Sequence, residues 1–153
     1  MKRVLPRAAT SPRDAWLALR MLAWAGSLPI LKRVLPLPRL VRLLARPREA
    51  ARKPEREWRI AALSRRVFRT RSALHADNCL ERSLVAYRYL GAAGAHPQLV
   101  VGASPGETVH GHVWVTVDGS AIHDAPHELA AWTPVVVFDA DGTRHPARGT
   151  LAA

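Results

Sequence analysis

The stretch DNCLERSLVAYRYLGAAG, residues 77–94, decides how the chain reads, because it holds the sole cysteine inside a complete helix signal. Leu80, Leu84, Tyr87 and Leu90 recur at helical spacing between Cys79 and Ala92, Asp77 or Asn78 can cap the start, and Gly94 can end it. Cys79 therefore falls in the first turn. There its sulfur meets unsatisfied backbone N–H groups and the positive end of the helix dipole. Both favour the thiolate over the thiol, which suits a nucleophile. The other reading of Cys79 is a small apolar core residue, since free cysteine is among the most buried types.

Downstream of this helix the apolar period shifts from helical to alternating. Strand-like runs occupy 98–103 (QLVVGA), 110–117 (HGHVWVTV), 120–124 (SAIHD) and 133–140 (TPVVVFDA), and Asp118-Gly119 between the second and third is a hairpin signal. Upstream, Ser11 followed by Pro12 and Asp14 starts a helix over about 12–25 that Gly26 should end. Pro29, Pro36 and Pro38 then divide the chain, LPRLVRLLARP can form two turns before Pro47, and PREAARKPE (47–55) reads as a polar connector. Pro54 opens a longer helix through about Leu74, with an apolar stripe that includes Trp58, Leu63, Val67 and Phe68. Helices, a central helix and then an antiparallel sheet make an α+β fold.

A chain of 153 residues with 48% hydrophobic content can form one domain, or a small core with an appended helical segment. The division expected here is a basic helical region over 1–72, for docking or partner contact, and a second region over 73–153. Residues 1–72 hold nineteen lysines and arginines against Asp14, Glu49, Glu55 and Glu57, a net +15, whereas residues 73–153 carry −4. Polyanion binding would belong to the first region; the cysteine lies in the second. One cysteine permits no internal disulfide, and the expected location is cytoplasmic. The uncharged run from Met21 to Leu31 contains Pro29 and is far short of the roughly 20 apolar residues of a membrane span.

A thiolate needs a base. On the strand after residue 110, His110, His112, Trp114 and Thr116 share one face and Val113, Val115 and Val117 the other. The valine face should be packed, or both faces covered. Asp124 can orient His112 if Gly119 is left-handed in a three-residue loop, because Thr116 then faces Ser120 and His112 faces Asp124, with Cβ atoms about 4.5–5.5 Å apart. A two-residue turn would send the two side chains to opposite faces. The three-residue loop is the expectation, although Asp-Gly by itself prefers the shorter turn.

Together these residues resemble the transglutaminase-like cysteine protease of lasso-peptide biosynthesis, the microcin-processing leader peptidase. That family shows a Cys-Leu-x-Arg-Ser helix, a strand motif His-x-Trp-Val, and an aspartate on the next strand. Here they fall on Cys79, Leu80, Arg82 and Ser83, on His112, Trp114 and Val115, and on Asp124. The likeness covers about residues 75–125, and the basic first half is similar to the family's stand-alone protease form. Gly111 stands where the family more often has alanine.

The resemblance implies a transglutaminase-like, papain-like core in which Cys79, His112 and Asp124 are catalytic; Arg82 and Ser83, one turn past Cys79, and Trp114, on the face of His112, are expected to bind substrate or border the site. It implies leader removal from a ribosomally made precursor, a separate leader-binding protein that presents the substrate, and a lasso cyclase. No cofactor or metal is expected, and no nucleic acid.

Two other classes compete. A zinc site could use His110 and His112 with His127 or Asp124, though a firm fourth ligand is missing and His123 projects away from Asp124. A non-enzymatic adaptor could use the arginines and Trp16, Trp24 and Trp58 at an anionic lipid surface or nucleic acid; of these, weak membrane-surface contact is the one retained as compatible with the enzyme.

Overall fold

Ser11 adopts an extended backbone and its hydroxyl accepts a hydrogen bond from the Asp14 N–H at 3.2 Å, which starts α1 (Pro12–Val34) where the sequence places it. The computed structural model describes residues 11–47, 51–72, 79–104 and 110–147. Asp77, Asn78 and Leu74 lie outside the described residues, as do the side chains of residues 70–72.

The expected stop at Gly26 does not occur: α1 runs through Gly26 and Pro29 to Val34. Glycine in a helix interior costs about 1 kcal/mol and proline about 3. Met21, Ala25 and Leu28, all fully buried on one face, carry the burial past Gly26, and Leu31, packed against the same core, carries it past Pro29. The extension has a consequence for α4 (Cys79–Ala92). It carries Lys32 to the first turn of that helix, where its ammonium donates to the buried Glu81 carboxylate at 3.0 Å.

Helix α2 (Leu37–Leu44) buries Leu40, Val41 and Leu44, and α3 (Pro54–Ser72) buries Ile60, Leu63, Val67 and Phe68. Trp58, expected in that stripe, is instead 71% exposed. Helix α4 is enclosed nearly all round by these helices and by the sheet. It ends at a left-handed Gly94, where the Ala95 N–H reaches back to Leu90 O.

β1 (Pro97–Ala103), β2 (Gly111–Val117), β3 (Ser120–Ala121), β4 (Thr133–Phe138) and β5 (Arg144–Pro146) form an antiparallel sheet in the order β3-β2-β1-β4-β5. Neither β5 nor the single turn α5 (Pro126–Leu129) carried a strong sequence signal. Val113, Val115 and Val117 point into the helical layer, and Trp114 and Thr116 on the opposite face are buried too, so both faces of β2 are covered. One hydrophobic cluster joins Met21, Leu40 and Phe68 to Leu84, Leu99 and Phe138. The result is an α+β architecture with helices packed on a five-stranded antiparallel sheet.

The β2–β3 connection differs from the expected three-residue loop. Val117 pairs with Ser120, and Asp118 and Gly119 have φ of 52° and 76°, the two positive values of a type I′ turn. Asp-Gly takes the turn that it prefers intrinsically. The run expected to be strand through 124 pairs only at Ser120 and Ala121 and then bends.

Candidate active site

Cys79 is the first residue of α4, half-buried and unbonded to another cysteine, so it is not an enclosed core thiol. The residues that follow fix the head of this helix on three sides. Glu81 takes Lys32 from α1. Arg82 Nη2 donates to Asp124 Oδ1 at 2.8 Å, beyond β3. Ser83 Oγ donates to the Val113 carbonyl of β2 at 2.8 Å in a fully buried contact. Residues three and four apart share a helix face, so Arg82 and Ser83 lie one turn below Cys79 on its own side. The strand that Ser83 grips carries His112 as the preceding residue.

His112 Nε2 stands 3.5 Å from Asp124 Oδ1, with both side chains largely buried. In the two-residue register a continued strand would have put them on opposite faces. The bend at 122–124 brings them together instead. Ile122 N–H still bonds to Val115 O at 3.0 Å; beyond it, Arg65 Nη2 of α3 donates to His123 O at 2.6 Å, and Ser64 Oγ lies 2.9 Å from His123 Nε2. On the far side the Ala125 N–H donates to Glu128 Oε2 at 2.6 Å at the start of α5. Asp124 is thus aimed by a clamp from α3 and by Arg82 of α4.

His123 itself is buried, with its pKa pushed down to about 4, chiefly by desolvation and then by the charges of Arg82 and Arg65. It is neutral at pH 7 and serves the clamp. His110 and His127 are exposed, and among the described residues no three His, Cys, Asp or Glu side chains group as a metal site.

The family model described as Transglutaminase-like superfamily matches residues 15–137, from the first turn of α1 into β4. The chain belongs to the transglutaminase-like superfamily. No curated protein and no solved structure matches it significantly. The superfamily commonly includes cysteine peptidases and acyltransferases, and the matched segment takes in the N-terminal helices together with the sheet.

Within this transglutaminase-like site, two indoles stack on the His112 ring. Trp114 lies 5.8 Å away at an interplanar angle of 21°, and Trp132, just before β4, lies 5.1 Å away at 27°. Trp132 had no periodic signal to announce it. Gly102 was equally silent: it pairs with His112 across β1 and β2, and a Cβ there would sit 2.7 Å from Trp114 Cζ3. Its lack of a side chain lets the Trp114 indole lie over β1. Among the described residues Asp124 Oδ2 is buried without a partner; Oδ1 accepts from Arg82 and has His112 Nε2 3.5 Å away.

Proposed function

We propose that this chain is a cysteine peptidase that removes the leader from a lasso-peptide precursor, with Cys79, His112 and Asp124 as its catalytic residues. The reading rests on one observation: the imidazole faces a buried carboxylate through Nε2, beside the head of the helix that begins with Cys79. An imidazole that faces its carboxylate through Nε2 keeps Nδ1 for the thiol proton.

His112 takes the proton of Cys79, and Asp124 fixes the tautomer and stabilises the resulting cation. The thiolate attacks the carbonyl at the leader–core junction, and the Cys79 backbone N–H, at the positive end of α4, stabilises the oxyanion. Collapse breaks the C–N bond as the imidazolium gives its proton to the departing amine. Water, deprotonated by His112, then opens the thioester and regenerates the thiol. The leader-binding protein would present the precursor, and the lasso cyclase would consume the freed amine.

The test is incubation of wild type and Cys79→Ala with a lasso precursor, with and without a leader-binding protein, read by mass spectrometry. Wild type should release the leader and the variant should not. Trimming by Cys79→Ala would end the proposal.

A second reading, contact with anionic lipid, draws on the outer face of α1, where Trp16, Leu19, Ile30 and Val34 are exposed beside Arg13, Arg20 and Arg33. Vesicle binding that falls steeply with salt and survives Cys79→Ala would support it.

A further inference from the structure

Where α1 crosses α4, basic and hydroxyl groups converge, and among the described residues no carboxylate pairs with them. Arg88 is 9% exposed, and its guanidinium lies over the Trp24 ring at 4.2 Å from the centroid. That contact occupies the face of the guanidinium and leaves its N–H edge, and Nη1 is buried with no hydrogen-bond partner. The next residue, Tyr89, is 6% exposed, and its buried hydroxyl oxygen faces the guanidiniums of Arg88 and Arg20, which leaves its own proton to be donated.

Arg20 approaches from α1, with its guanidinium 5.9 Å from the Tyr89 ring, and the charges of Arg20 and Arg88 both act on the Tyr89 hydroxyl. Arg46, following α2, adds like charge to Arg88. Gly91 on α4 makes room for the Arg46 backbone: a Cβ there would stand 3.2 Å from Arg46 O. Among the described residues, the ion pairs that α1 makes go through Lys32 and Asp14, and none includes Arg20, Arg46 or Arg88.

Burial and like charge together lower the Arg88 pKa from its ordinary value, while burial raises that of Tyr89, which keeps its hydroxyl a proton donor. A buried Nη1 without a partner and a hydroxyl proton beside it, among positive charges that pair with no carboxylate of the described residues, lack one thing, an acceptor that carries negative charge.

We infer that Arg88 and Tyr89, with Arg20 and Arg46 around them, form a binding site for a small oxyanion of the carboxylate or phosphate type, separate from the Cys79 site. Arg88 Nη1 and the Tyr89 hydroxyl donate to it; Arg20 and Arg46 supply charge. An anion bound there ties α1 and α2 to α4, the helix that begins with Cys79.

The experiment titrates the full chain with inorganic phosphate and, in a second arm, with acetate, at ionic strength held constant with chloride, and follows the melting temperature. Wild type should show a saturable rise with one of the two, and the arm that responds identifies the ligand type. Arg88→Met should abolish the rise or weaken the apparent affinity by about tenfold or more, as expected for loss of a charge-assisted bond. Tyr89→Phe, which removes a single oxygen, should weaken it as well and decides the matter if Arg88→Met does not fold. Equal responses in wild type and Tyr89→Phe, or no response beyond chloride in wild type, would overturn the site.

Discussion

Arg82 and Asp124 are joined at 2.8 Å through Oδ1, the same oxygen that faces His112 at 3.5 Å, so the guanidinium holds the carboxylate more closely than the imidazole does. Arg82 belongs to the first turns of the helix that begins with Cys79, so one contact ties that helix to the carboxylate proposed to orient His112. Arg82→Ala should lower kcat/KM by about 10- to 100-fold, mostly in kcat, because substrate binding is not its task. Arg82→Lys keeps the charge without the planar fork and should recover only part of the loss. Unchanged kcat in Arg82→Ala would show that Asp124 needs no such hold.

Reactivity of the thiol can be measured without any substrate. If His112 serves Cys79, then His112→Ala should slow alkylation of Cys79 by iodoacetamide about tenfold or more at neutral pH, read by intact mass. Equal rates would separate the imidazole from the sulfur.

Acid should loosen the clamp on Asp124. The His123 pKa is about 4 in the fold against an ordinary 6.5, so the unfolded chain binds its proton first as pH falls. The stability is fully present above about pH 6.5 and is lost progressively toward pH 4, by roughly 3 kcal/mol across that window. Urea unfolding at pH 7, 5.5 and 4 should show a smaller acid loss in His123→Gln than in wild type. Parallel losses would mean that other groups carry the acid sensitivity. Ser64→Ala, which strips the partner from His123 Nε2, should cost about 1–3 kcal/mol at pH 7.

The same clamp explains which parts of the molecule were legible in the sequence. Cys79 at a helix head, the α4 span and the Asp118-Gly119 turn are local matters, set by residues within a few positions of each other. The meeting of His112 with Asp124 was foreseen, but through a bulged loop that the turn does not adopt. What brings them together is a bend pinned by Ser64 and Arg65, 59 and 58 residues away along the chain from His123, and strand alternation says nothing about such a contact. The helix α1 failed to stop at Gly26 for a related reason: the burial of Met21, Ala25 and Leu28 is a tertiary term, and it outweighed local helix breakers. Trp132 lies outside any periodic run, and only the folded chain puts it on His112.

Gly102 offers the sharpest test of how the aromatic wall supports His112. A methyl at this position would stand 2.7 and 2.8 Å from Cζ3 and Cη2 of Trp114 and 3.2 Å from the Thr133 carbonyl, so Gly102→Ala must displace the indole. Overpacking of this kind costs about 1–3 kcal/mol. Because the displaced ring stacks on His112, activity should fall as well, by about tenfold in kcat/KM. Trp114→Phe deletes the six-membered ring edge that collides, at the cost of a cavity. Combined, the two substitutions should be less harmful than their sum, with a coupling of about 0.5–3 kcal/mol in a double-mutant cycle read by urea unfolding. Strict additivity would mean that Gly102 makes room for something other than Trp114, and the link from β1 through the indole to the imidazole would be broken.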